Sequence, residues 1–210
     1  MLWVEGKNDI HVVCHLLREN GIELSPQDGP VVVEEKHSVE PLLDIMTVAT
    51  KAAIGQNQPV GFMLDADEDG VVRWEAIRTR LDAAGCKLKK ADIRMEGVIK
   101  EVGESRVGVW MMPWSTAEKG ELEDFLRNII PAEDETLPMA QKFVLDVKES
   151  VGETRRFKNG DFAKAEIATW LAIQDPPGNP YGIAIKAHKF APGMPLAQSF
   201  VQWFRRLFDL

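Results

Sequence analysis

The chain opens on a short apolar run, Leu2-Trp3-Val4, that stops on Glu5-Gly6-Lys7-Asn8-Asp9. Continuous runs of this length, bounded by turn residues, read as strands buried on both faces of a sheet. Asp9 is expected to cap a helix reaching about Asn20, with Gly21 as its stop and Ile10, Val13, Cys14 and Leu17 as its buried stripe. Val31-Val32-Val33 reads as a second strand, and Ser38, Glu40 and Pro41 open a helix to about Ile54. A third strand, Val60 to Leu64, precedes a third helix, Val71 to Ala84, with Gly85 beyond its end. Strands and helices alternating in this way predict an α/β fold, a mainly parallel, Rossmann-like sheet with right-handed crossovers.

Farther along, Asp92 to Met95 and Arg106 to Met112 are expected as strands, and Glu121 to Ile130 as a helix with acids in its first turn. The texture changes at Pro131. Helices are expected at 139–151 and 162–173, then a Pro/Gly-rich passage from Pro176 to Gly193, then a last helix from about Leu196 to Phe208. The chain therefore divides into an α/β core, 1–130, and a mostly helical extension, 131–210, packed on it. Phe200, Trp203, Phe204, Leu207 and Phe208 fall on one helical face, which either packs on the core or joins two copies as a homodimer.

Charge and cysteine usage narrow the function classes. A net charge of −8 over 210 residues argues against a protein that coats nucleic acid, which needs a dense basic surface. It leaves room for an enzyme that meets phosphates through metal ions. No apolar run approaches the roughly 20 residues of a membrane span, and Met1-Leu2-Trp3-Val4-Glu5 is no signal peptide, so a cytoplasmic protein without a membrane partner is expected. Cys14 and Cys86, far apart in sequence, suggest reduced thiols. His11 and His15 have a spacing that can hold zinc, but no third ligand accompanies them.

The third strand carries the candidate chemistry. Asp65, Asp67, Glu68 and Asp69 follow it within five residues, just past its C-terminal end, where open α/β sheets bind ligands. Carboxylates so close repel unless a cation holds them, and an all-oxygen set suits Mg²⁺ or Mn²⁺. Asp69 also fits a helix N-cap, with Gly70 for the turn. An EF-hand does not fit, because Ala76 stands where that loop needs Glu and a strand precedes it in place of a helix.

Glu5-Gly6 after the first strand and Asp65-Ala66-Asp67 after the third, joined by crossover helices, resemble the Toprim family over about residues 1–125. That resemblance implies Asp65 and Asp67 as Mg²⁺ (or Mn²⁺) ligands and Glu5 as proton carrier or further ligand in phosphodiester chemistry. Within the family the start looks most like the overcoming-lysogenization-defect type of nuclease domain. By that likeness Asp9, and Glu123 of Leu122-Glu123, complete a second metal site; Glu121 stands where that pattern has Lys, with Lys119 close by. The whole chain is also similar to a group of small prokaryotic proteins with this core and a helical C-terminal part.

Lys7 could meet a phosphate as a point charge. Arg155-Arg156-Phe157-Lys158, with Lys87, Lys89 and Lys90, offers a basic-aromatic patch for nucleic acid. A topoisomerase would need a nucleophilic tyrosine in a DNA-gripping domain, and the one tyrosine is Tyr181. A primase would need template-binding domains that are absent from these 210 residues. The expected function is metal-dependent phosphodiester hydrolysis of a nucleic acid or nucleotide; the alternative is a non-catalytic Toprim-like module that binds a nucleotide or a protein partner.

Overall fold

A computed structural model describes residues 1–24, 29–116, 118–150 and 157–210. Five strands form one sheet: β1 (Leu2–Val4), β2 (Val33–Glu35), β3 (Val60–Asp65), β4 (Val98–Val102) and β5 (Ser105–Met112), in the order β2-β1-β3-β5-β4. β1 pairs in parallel with β2 and β3, and β3 with β5; only the edge strand β4 runs antiparallel, against β5. Eight helices accompany the strands among the described residues: α1 (Lys7–Glu19), α2 (Val39–Gly55), α3 (Gly70–Asp82), α4 (Leu122–Asn128), α5 (Thr136–Ser150), α6 (Phe162–Ala172), α7 (Tyr181–Lys186) and α8 (Pro195–Phe208). The mixed α/β, Rossmann-like architecture with a helical C-terminal region is the one expected from the sequence.

Alternation along the central strands sorts side chains between two cores. Val60, Phe62 and Leu64 of β3, with Val107, Val109 and Met111 of β5, pack with α2 and α3; Met63, Trp110 and Met112 pack with α1, α4 and the C-terminal helices. The second core runs unbroken from Leu2 to Phe208, so the C-terminal region shares the interior of the α/β part. α8 supplies its lid. Gly61 and Gly108 are paired across β3 and β5, and a Cβ at either would lie 2.8 or 2.4 Å from Leu207 Cδ2, so the missing side chains make the groove in which Leu207 rests. Phe200, Trp203, Phe204, Leu207 and Phe208 are all buried there. This apolar face is used within the chain and is not the dimer surface the sequence left open.

The strand expected over Asp92–Met95 is absent. Asp92 Oδ2 accepts from Lys89 N at 2.8 Å and closes a 3₁₀ turn over Lys90–Asp92, and the ladder starts at Val98. α7 lies inside the Pro/Gly-rich passage, where no helix was expected. Gly182 lets it press on α1, since a Cβ there would lie 2.6 Å from His15 Cδ2.

Candidate functional site

Adjacent strands β1 and β3 end on acids, and the first of these is tied to the second. Glu5 Oε1 accepts a hydrogen bond from the Asp65 backbone N at 2.8 Å. Gly6, not Asp9, occupies the N-cap position of α1; Asp9 sits in the first turn and its Oδ2 accepts from Gly6 N at 2.9 Å. That folds the Asp9 carboxyl back toward the strand ends, where it is 7% exposed.

The turn beyond Asp65 is clamped to the start of α4. Asp67 adopts a left-handed φ of 53° and exchanges two backbone hydrogen bonds of 2.9 Å with Gly120. Gly120 has φ 147°, and a Cβ on it would lie 2.6 Å from Pro113 Cδ, so glycine is required there. The clamp sets Asp65-Ala66-Asp67 beside Glu121 and the buried Glu123, which is 4% exposed.

Four carboxyls thus converge from β1, α1, β3 and α4. Burial, then the charges of Glu5, Asp9, Glu123 and Asp67, hold Asp65 well above the ordinary aspartate value. Glu5 is pushed up to about 7, mainly by burial, with Asp9 and Asp67 adding to the rise. Asp9 is likewise pushed up to about 7, by burial and then by Glu123 and Glu35. Glu123 is raised by burial against the opposing pull of Lys164 and Tyr181. Asp65 Oδ1 and Glu121 Oε1 are buried without a hydrogen-bond partner. An all-oxygen, acid-rich pocket with such orphaned oxygens fits a hard divalent ion. Among the described residues, however, no three His, Cys, Asp or Glu side chains already stand as an ion-holding group.

Three partners of these acids were not singled out as site residues in the sequence. Arg73, on α3, pairs with Asp67 Oδ2. Lys164 Nζ, on α6, lies 2.8 Å from Glu121 Oε2. Tyr181, at the start of α7, donates its hydroxyl to Glu123 Oε1 at 3.0 Å. Arg73 follows the acids within one turn of α3 and was within reach of a helical-spacing argument; Lys164 and Tyr181 arrive by tertiary packing, which leaves no local signal.

Other candidates lie apart from the cluster. Asp69 is the N-cap of α3: its Oδ1 accepts from Val71 N and Val72 N at 3.0 Å each, and it is exposed. The capping bonds account for Oδ1. Lys7 is exposed at the first residue of α1. Lys158 is exposed, and its carbonyl accepts from Asp161 N at 3.1 Å in the turn leading to α6. Arg155 and Arg156 lie outside the described residues. Lys90 is engaged by Glu75 at 3.1 Å.

A cleft of about 740 Å³ adjoins the acids. Asp67, Glu121 and Asp124, Trp114 and Lys119 of the β5–α4 connection, and Gly160 to Lys164 line it. The C-terminal region therefore builds part of the site's wall. Arg127 braces it, pairing with Asp124 at 2.8 Å and with the buried Glu166 at 2.9 Å.

A family model described as "Protein of unknown function (DUF3226)" matches residues 1–209. No curated protein and no solved structure matches the chain.

Proposed function

The chain belongs to this DUF3226 family of proteins of unknown function, and we propose that it is a Toprim-like, metal-dependent phosphodiesterase acting on nucleic acid or nucleotides. The observation that carries the reading is Asp65 Oδ1, buried without a partner among Glu5, Asp9 and Glu123. Leaving such an oxygen unpaired costs about 1–3 kcal/mol, more for a charged group, so its retention points to a ligand. Asp65 and Asp67 with Glu5 would hold one Mg²⁺ or Mn²⁺, and Asp9 with Glu123 a second. Ions bound there stabilise charge on the attacking and leaving oxygens of a phosphoryl displacement.

The chain's own groups have separate tasks. Glu5, fixed through Oε1 to Asp65 N, would take or return a proton with its other oxygen where that oxygen does not itself hold the ion. Tyr181 orients Glu123. Lys164, raised above the usual lysine value by Glu121 and Glu123, stays charged beside the cleft. Lys7, exposed at the first residue of α1, offers a phosphate a point charge.

One observation favours a second reading, a non-catalytic module that binds a nucleotide or protein. Arg73 already neutralises Asp67, as a structural ion pair would. Titration calorimetry with Mn²⁺ on wild type and Asp65→Asn, run beside cleavage of a labelled oligonucleotide panel, decides between them. The phosphodiesterase reading expects Mn²⁺ binding that Asp65→Asn abolishes, and Mn²⁺-dependent cleavage; no binding at millimolar ion sinks it.

A further inference from the structure

The sequence holds six tryptophans. Five are buried: Trp3, Trp74, Trp110, Trp170 and Trp203. The sixth, Trp114, is only half-buried, and it lines the cleft beside the acids. Its connection is set by its neighbours. Trp114 follows Pro113, which packs on Gly120, and precedes the buried Ser115, whose N donates to Met111 O. Phe162, half-buried, also lines the cleft, its ring held edge-on by Phe157 with centroids 5.2 Å apart.

A half-exposed indole in a concave wall is a surface for a flat ligand, since aromatic faces stack on any base. The cleft volume, about 740 Å³, is that of a small-molecule site and suits a nucleotide or two rather than a duplex. The cations are placed for a phosphate. Arg127 is committed to Asp124 and Glu166; Lys164, half-exposed on the cleft wall, holds Glu121 at 2.8 Å and would share its charge with an entering phosphate, and Lys119 is exposed.

We propose that this cleft holds an unpaired nucleotide of a single-stranded nucleic acid, its base stacked on Trp114 and its phosphate directed by Lys164 and Lys119 toward the acid cluster. The inference rests on the phosphodiesterase reading and deepens it to a substrate class. It also gives the C-terminal region a task, because Phe162 and Lys164 belong to it. Acids outnumber Lys119, Arg127 and Lys164 along the cleft, so the phosphate enters only with divalent ions, and duplex of the same sequence is excluded because its bases are stacked internally.

The test uses a short fluorescein-labelled oligonucleotide, single-stranded or annealed, with Ca²⁺ or Mn²⁺, read by anisotropy and by intrinsic tryptophan emission on the full chain. Expected are binding of the single strand over the duplex, quenching of tryptophan emission on binding, and loss of that quenching in Trp114→Phe, which keeps a ring. Trp114→Ala should weaken binding roughly five- to a hundredfold, the range for losing one base stack, with far-ultraviolet circular dichroism unchanged. Competition with a mononucleotide distinguishes a strand from a free nucleotide, and tighter binding of the mononucleotide overturns the strand assignment. Mn²⁺ calorimetry in parallel separates the two failures. If the ion binds but the oligonucleotide neither binds nor quenches, or the duplex binds equally, the cleft inference falls and the metal reading stands. If no ion binds and the strand still quenches through Trp114, the metal reading falls and the cleft inference stands; if neither occurs, both fall.

Discussion

The same two strands, β3 and β5, build two regions that obey opposite rules. Under α8 the interior is closed. Leu207 fills the groove of Gly61 and Gly108, Trp110 meets Phe200 edge-on at 5.2 Å, and Trp203 Nε1 donates to Val98 O at 3.1 Å. Among the described residues Trp110 Nε1 is an unpaired polar atom there. At the strand ends, by contrast, buried carboxyl oxygens are left unpaired and their protons are held far above the ordinary range. Close packing rewards filling every gap, whereas a binding site keeps its strain until a ligand relieves it. The comparison predicts that substitutions change stability with opposite signs in the two regions.

The largest effect is expected under α8. Trp203 is wholly buried, and truncating such a residue costs about 3–5 kcal/mol. Trp203→Ala should lower the melting temperature by roughly 6–20 °C, at about 2–4 °C per kcal/mol for a chain of this size. Trp203→Glu, which buries an unpaired charge, should fail to fold; a folded, fully soluble Glu variant would show that α8 is not the lid.

At the strand ends the sign reverses. Asp65→Asn replaces a carboxyl that burial and its neighbours keep from ionising with a neutral amide, so thermal melting of the metal-free protein should rise or hold while Mn²⁺ affinity collapses. Pairing with Arg73 makes Asp67 the less clean probe, because Asp67→Asn leaves that guanidinium without its carboxylate. Melting curves of both variants, with and without the ion, distinguish these cases.

pH dependence sharpens the same contrast. Glu5 and Asp9 hold protons to about pH 7 when folded, against ordinary values of 4.5 and 3.8. Between those values the folded, metal-free chain carries more protons than the unfolded one, so its stability falls as pH rises from about 4 to 7. Saturating Mn²⁺ competes with those protons and should flatten or invert the slope. Glu5→Gln with Asp9→Asn should remove part of the dependence and leave the share of Asp65 and Glu123, whereas Trp203→Ala should leave all of it in place beneath its lower stability. Denaturant melts at several pH values read it directly.

The strand and crossover pattern was legible because β1, β3 and β5 are buried on both faces and so read as unbroken apolar runs. The α8 face was legible for the same kind of reason, five large apolar residues at helical spacing. β4 was misplaced because Asp92–Met95 resembles a strand in composition, while what decides the ladder is Gly97, φ 75°, packed on the Trp203 ring. The acids of the candidate site were visible as residues, since each ends a strand or opens a helix. Their counter-charges were not. Arg73 carries a signal only through its spacing from the acids along α3, and Lys164 meets Glu121 across 43 positions of sequence. α7 was hidden because Pro180 and Gly182 read as loop punctuation, when Pro180 precedes the helix and Gly182 seats it on α1.

The smallest expected effect tests whether the C-terminal region serves the strand ends as well as the interior. Tyr181→Phe deletes one oxygen and leaves the ring, so the packing of α7 on α1 through Gly182 is kept. What it removes is the 3.0 Å hydrogen bond to Glu123 Oε1. Burial already favours the protonated form of Glu123, so the bond is worth about the 0.5–1.5 kcal/mol of an ordinary one, and the melting temperature of the metal-free protein should fall by only a few degrees. Mn²⁺ affinity should respond more strongly, since losing the partner that orients a ligand typically costs 10–100-fold. A fall in Mn²⁺ affinity without a matching fall in melting temperature would place Tyr181 as a positioning residue. Equal changes in both, or a fall in stability alone, would make the hydroxyl a structural bond and remove α7 from the site.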